Sequence, residues 1–295
     1  MPNPTVHIIA TGGSIAGVGP DRMDYTLYPE IGDHLTIDQN LARVPEIGDN
    51  FNIIAEDMVS VGSTAIGPAN WIALAERIHA IDRDEPDTAG ITERPVVITG
   101  AMRPPTSIST DADLNLMDAV RIAATPESSG MGVLTVLNNE IHCAREVYKA
   151  NTLRVETFKP NELGFLGYAD SDHRVVFYRR PVRKHTTETP FRVDGMTDLP
   201  RVDIVHAYAG ADGMLIDAVR AHGSAGLVLA GFGAGTFPPT VISAAESAVA
   251  GGMPVVLASR SSAGRVVMTP RKDEQGFIVS DNLMPQKPAS SSCSA

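Results

Sequence analysis

Short apolar runs, each closed by glycine, proline or polar residues, recur along the chain with room for a helix between them. Residues 6–9 (VHII) lead into Gly12-Gly13, and residues 95–99 (PVVIT), 132–137 (GVLTVL), 202–205, 227–230 and 255–258 follow the same form. Such runs predict strands. Their hydrophobicity is continuous rather than alternating, which predicts strands covered on both faces, as in a parallel sheet. Between them, residues 69–81, 113–124, 214–221 and 239–250 carry the helical period. The last of these opens on proline and stops at Gly251-Gly252, the expected asymmetry of helix ends. Strands alternating with helices predict an α/β fold, in which ligands sit at the carboxyl ends of strands. Ser14 and the Gly100-Ala101-Met102 turn both fall at such ends.

The alternation breaks near residue 178 into charged, threonine-rich and proline-containing sequence and resumes at Val202. This predicts an N-terminal catalytic α/β domain over 1–180, a linker over 181–200 and a C-terminal α/β domain over 201–295. A length of 295 residues suits two domains of ordinary size, and 43% apolar with 20% charged residues is the balance of a folded globular protein. The net charge of −11 offers no general attraction to nucleic acid or anionic lipid, so neither is expected as a partner. The one basic cluster, Arg179, Arg180, Arg183 and Lys184, reads as a solvated linker face. No apolar run is long enough to span a bilayer, and Met1-Pro2-Asn3-Pro4 lacks the parts of a signal peptide, so a cytoplasmic location is expected. Cys143 and Cys293 form neither a metal-ligand spacing nor a disulfide framework, and Cys143 reads as a small structural residue. The eight histidines contain no HExxH pattern, so neither metal nor other cofactor is expected.

The strongest chemical signal follows the first strand. Thr11-Gly12-Gly13-Ser14-Ile15-Ala16-Gly17 sets a hydroxyl in a turn where glycines permit close approach and backbone N–H groups are available to an anion. A nucleotide phosphate is the other reading of such a turn, although the spacing is neither GxGxxG nor GxxxxGK[ST].

Five segments in order, spread over nearly the whole chain, resemble the bacterial-type L-asparaginase (asparaginase/glutaminase) family. TGGSIAG resembles the family's TGGTIAG, residues 100–115 (GAMRPPTSISTDADLN) its GAMRP segment, and residues 145–158 (REVYKANTLRVETF) the stretch that holds its catalytic lysine. Residues 226–235 (GLVLAGFGAG) and 259–264 (SRSSAG) resemble its C-terminal strands and turns. The resemblance implies a two-domain fold, with a larger N-terminal parallel-sheet domain and a smaller C-terminal α/β domain. It implies hydrolysis of L-asparagine, with L-glutamine as the other candidate substrate, through a hydroxyl nucleophile and an acyl-enzyme and without a cofactor. It also implies a homotetramer whose sites are completed by a neighbouring subunit.

Carried over by position, Ser14 is the nucleophile, where the family usually has threonine, and Lys149 assists proton transfer. Tyr25 is the best match to the family's activating tyrosine, with Tyr28 a close alternative because residues 18–32 align loosely. Glu56, in Glu56-Asp57-Met58, falls where the substrate's amino and carboxylate groups are bound, and Thr11 and Ala101 lie at the same substrate site. Ala55 stands where the family commonly has serine.

Two parts of the family pattern are missing. The strand ending in HGTDT and the helix after it have no counterpart, because the chain passes from Asp87-Thr88-Ala89-Gly90-Ile91 directly into Thr92-Glu93-Arg94-Pro95. In the family that strand lies inside the sheet beside the first. Its neighbours, ~4.8 Å from it on either side, must close the gap or leave backbone groups without partners. At the other end, residues 288–294 (PASSSCS) replace a helix resembling Ala-Arg-Ile-Leu-Leu-Met-Leu, and a one-base shift of a plausible coding run for that helix yields PASSSCS. These losses support a second reading, a catalytically impaired or noncatalytic member, either a truncated gene product or an amino-acid-binding protein.

Overall fold

In the computed structural model, residues 3–84, 93–191, 193 and 195–291 are described. The junction at 85–92, where the HGTDT unit is missing, lies outside the described residues, as does Cys293. The chain divides into two compact units, Met1–Pro190 and Phe191–Ala295.

The first unit opens with β1 (Thr5–Gly12), three one-turn helices α1 (Tyr28–Ile31), α2 (Ile37–Leu41) and α3 (Glu46–Asn50), and β2 (Asn52–Val61). It continues through α4 (Pro68–Asp84), β3 (Val96–Thr99), α5 (Ala112–Ala123) and β4 (Val133–Leu137). Five short strands follow: β5 (Glu140–Cys143), β6 (Tyr148–Lys149), β7 (Phe158–Lys159), β8 (Gly167–Ala169) and β9 (Val175–Phe177). β1 runs parallel to β2, and β3 runs parallel to β4 across the α5 crossover. Beyond β4 the sheet becomes antiparallel, in the order β3-β4-β5-β8-β9. The change of direction is local chemistry, since Asn138 and Asn139 both adopt positive φ (53° and 64°) and make the two-residue turn that joins β4 to β5.

β1 and β2 form a two-stranded sheet of their own. Among the described strands β1 pairs only with β2, and β3 only with β4. This is the break that loss of an interior strand predicts, and burial records its cost. Residues 95–99 are continuous in hydrophobicity and were expected to be covered on both faces, yet no residue of β3 is buried and Ile98 is 38% exposed. α5 spans the break. Ala119 and Ile122 pack into a core with Leu134, Val136 and Ile141, while Leu116 and Val120 pack with Val6 and Ile47.

The second unit shows what the same kind of strand does when flanked. It contains β10 (Val202–His206), α6 (Met214–Ala221), β11 (Gly226–Gly231), α7 (Pro239–Ala250), β12 (Val255–Ser259), α8 (Pro270–Glu274), β13 (Ile278–Val279) and α9 (Gln286–Ser291). Its strands form one parallel sheet in sequence order, and all six residues of β11 are buried between β10 and β12. Ile216, Leu229, Val241, Ala245 and Leu257 centre its core. Among the described residues no helix is long and apolar enough to cross a membrane, and no His, Cys, Asp and Glu group could hold a metal ion.

Candidate active site

The end of β1 is shaped by a glycine with no room for a side chain. Gly12 has φ +82°, and a Cβ there would meet the Val61 carbonyl oxygen at 2.5 Å, because the β1–β2 register slips between Ala10 and Gly12. Thr11 lies in that slip. Gly13, also at positive φ, donates to the Val61 carbonyl at 2.8 Å, and the chain then folds into a turn closed by Ala16 N–H to Gly13 O and Gly17 N–H to Ser14 O. Ser14 stands in this turn, half-buried, at the carboxyl end of β1. Its hydroxyl shares a 2.5 Å hydrogen bond with the Tyr28 hydroxyl.

Residues 18–32 are tied down at both ends. Val18 N–H donates to Asp33 O and Leu35 N–H to Ala16 O. The outer part docks on the GAMRP segment, through Gly19 N–H to Thr106 Oγ1 (2.9 Å), Ile108 N–H to Arg22 O (2.8 Å) and Ser107 Oγ to Asp24 O (3.2 Å). The Asp24 carboxylate accepts the backbone N–H groups of Leu27 and Thr26, which hold its carboxyl below the usual carboxylate range. Tyr25 turns toward that segment, its ring centroid 5.4 Å from the Arg103 guanidinium carbon. Among the described residues neither Tyr25 nor Lys149 hydrogen-bonds Ser14.

The segment it docks on is itself rigid. Asp111 accepts the N–H groups of Met102 and Arg103 (2.9 and 2.8 Å), fixing the turn in which Ala101 is buried. Asn115, 1% exposed, donates to the Gly100 carbonyl and to Asp111, and accepts Asn138 N–H. One buried amide thus joins the ends of β3 and β4 to α5. Asp111 and Asn115 were not anticipated as site residues. Their only signal was their place within STDADLN.

Glu56 lies on β2 opposite Ile9, and its Oε1 is 2.6 Å from Arg77 Nε on α4. Ala55 lies opposite Ile8. Asp57 is spent on structure, accepting Ile37 N–H at 3.1 Å at the start of α2. Lys149 is exposed on β6, opposite Phe158 of β7. The structure therefore joins Ser14 directly to Tyr28, and places Glu56 on β2, the strand paired with the β1 that leads into the Ser14 turn.

The family profile "Asparaginase, N-terminal" matches residues 5–92 and 87–183, and "Glutaminase/Asparaginase C-terminal domain" matches residues 201–289. The chain belongs to the asparaginase family. It is 37% identical to L-asparaginase 2 of Bacillus subtilis, over 96% of this chain and 80% of that protein. It is 36% identical to L-asparaginase 2 of Escherichia coli, over 96% of this chain and 86% of that protein. The solved probable cytoplasmic L-asparaginase of Campylobacter jejuni matches with a TM-score of 0.90 at 32% identity, covering 97% of this chain and 92% of that one. The two-domain α/β asparaginase fold and membership of an amidohydrolase family follow, as the ordered motifs implied. The N-terminal profile matches in two pieces that meet at 87–92, the position of the missing unit. The alignment with the Bacillus subtilis asparaginase is 306 residues long, more than the 295 of this chain, so that relative carries internal residues this chain lacks.

Proposed function

We propose that this chain hydrolyses L-asparagine to L-aspartate and ammonia, with Ser14 as the nucleophile. The observation that carries the reading is the Ser14 hydroxyl, held in a glycine turn at a strand's carboxyl end and hydrogen-bonded to a phenol. A free hydroxyl is a weak nucleophile and needs a proton acceptor, which a tyrosine of residues 18–32 supplies, Tyr25 by motif position or Tyr28. Ser14 Oγ bonds to the side-chain amide carbon, the carbon–nitrogen bond breaks and ammonia leaves with the hydroxyl proton. Water then cleaves the acyl ester and returns a proton to Oγ. Lys149 assists proton transfer, Glu56 recognises the substrate's amino group, and Thr11 and Ala101 border the substrate. The Thr and Asp of HGTDT have no counterpart by position, so the chemistry rests on the groups around Ser14. No cofactor enters the scheme, and a homotetramer is the assembly that family resemblance supports.

The test is ammonia release from L-asparagine, with L-glutamine measured beside it, for the native protein and Ser14→Ala. Loss of release in the variant is expected, and equal rates rule out the nucleophile. Light scattering of the purified protein reads the assembly.

A further inference from the structure

We propose that His185 is a proton-operated clasp, which as an imidazolium fastens residues 183–189 to the body of the first unit and releases them when the ring loses a proton. The clasp does not depend on Ser14 being the nucleophile.

The partners of the ring require its charge. His185 Nδ1 lies 2.5 Å from the Arg183 carbonyl oxygen and Nε2 lies 3.0 Å from the Gly130 carbonyl oxygen. A carbonyl oxygen only accepts and a neutral imidazole carries one N–H, so only the imidazolium makes both bonds. In the neutral ring one nitrogen lone pair faces a carbonyl oxygen. Whichever bond is kept, the segment loses either its internal tie to Arg183 or its tie to Gly130.

The ring is seated against the body of the unit. A Cβ on Gly132 would lie 3.1 Å from His185 Cδ2, so the glycine makes room for the imidazole just before β4. Glu93 holds the next two residues, its Oε1 accepting the Thr186 and Thr187 hydroxyls at 3.0 and 2.9 Å. The Glu93 carbonyl in turn accepts the Ser129 hydroxyl at 2.6 Å, beside Gly130. The fastened segment is strained, since Thr186 has φ 50°, a left-handed conformation that a β-branched residue rarely adopts. Such strain persists only while the surroundings over-determine it, so the loss of one tie favours release of the turn over 186–188.

The charges nearby set the direction of the switch. The hydrogen bonds to the Arg183 and Gly130 carbonyls hold the His185 pKa above the ordinary 6.5, partial burial opposes them, and the Glu93 and Glu188 carboxylates add to the rise. Arg183 and Lys184 flank the ring on its own segment, Arg94 beside Glu93 pairs with Asp82 at 3.5 Å, and Glu127 is the one titratable side chain between 126 and 132. A folded pKa above the unfolded value means that the clasp is closed below pH 6.5 and opens as pH rises through the folded pKa.

Two measurements on the full chain test this. Nitrogen-15 NMR of histidine-labelled protein, with His185→Gln to identify the signal, should show His185 titrating above 6.5 with both ring nitrogens protonated on the acid side. Hydrogen exchange read by mass spectrometry follows the segment itself, through Glu188 N–H bonded to His185 O and Thr189 N–H bonded to Thr186 O. Corrected for the intrinsic pH dependence of exchange, protection of these amides should fall by about tenfold or more between about pH 6 and about pH 8.5, the size of one charge-assisted hydrogen bond. In His185→Gln, whose side chain does not titrate, protection should be low and equal at the two values. A His185 midpoint at or below 6.5, protection that does not change with pH in the native protein, or the same fall in His185→Gln overturns the proposal.

Discussion

The Arg77 guanidinium on α4 meets the Glu56 carboxylate on β2 with Nε 2.6 Å from Oε1. Under the proposed function Glu56 receives the substrate's amino group, so Arg77 and the substrate compete for one carboxylate. Both side chains are partly open to water, at 38% and 40% exposure, so the pair is worth about 0.5 kcal/mol after screening. That small value decides the expected effect. Arg77→Met should lower KM for L-asparagine by about twofold with kcat unchanged, and Glu56→Gln should raise KM by at least tenfold. Steady-state kinetics of the two variants checks this, and a higher KM in Arg77→Met would show that Arg77 helps to bind substrate.

A buried histidine sets a stability limit on the acid side. His142, on β5, is 0% exposed, and neither ring nitrogen has a hydrogen-bond partner among the described residues. Glu140 lies 3.6 Å from Nε2, too far for a hydrogen bond, and burial governs instead, with Lys159 and Arg179 adding repulsion. The folded pKa falls from 6.5 to about 4. The unfolded chain therefore binds the proton first, so stability is full above pH 6.5 and declines as pH falls from 6.5 to about 4, by about 3 kcal/mol. His142→Leu should remove most of that decline. Urea denaturation at pH 7.5 and 4.5 measures it, and parallel pH dependences in the two proteins would refute it.

Gly12 and Gly13 share a backbone conformation and differ in space, which separates two costs. Both have positive φ, but a Cβ on Gly13 meets nothing within 4 Å, whereas one on Gly12 meets Val61 backbone at 2.5 Å. Gly13→Ala should cost about 1 kcal/mol of stability, the strain of a left-handed alanine alone. Gly12→Ala should cost at least about 2 kcal/mol more and abolish ammonia release, because the β1–β2 register must shift and carry Ser14 with it. Thermal melts of the two variants compare them, and equal melting temperatures would dissociate the turn from the register.

What could be read from the sequence followed the strength of each local signal. The helices over 214–221 and 239–250 appear at those bounds because a full apolar face and clear end residues mark them. β2 was not anticipated. Its NIIAEDMVSV interrupts an apolar run with Glu56 and Asp57, a half-buried pattern that short windows do not separate from loop. The strands β5 to β9 run two to four residues and depend on tertiary pairing. Tyr25 and Tyr28 are three residues apart in a loop, so only coordinates show which one faces Ser14.

The gap between β1 and β3 gives the most demanding prediction. Strands that are continuous in hydrophobicity are stable when flanked, as β11 is, and β3 has a described partner on one edge only. Grafting the strand and helix of the Bacillus subtilis relative between Asp84 and Glu93 supplies the second partner. Full burial of one aliphatic side chain contributes about 1.5–3 kcal/mol, so covering Ile98 from 38% exposure contributes about 1 kcal/mol. Ladder hydrogen bonds along β3 add to this. A rise in melting temperature of about 4 °C or more is therefore expected. The graft also returns the threonine and aspartate that the family resemblance places beside the nucleophile, and kcat should rise by about 10²-fold. A graft that raises the melting temperature without raising kcat would make the missing strand structural only. One that raises neither would mean that β1 and β3 do not flank a strand-sized gap.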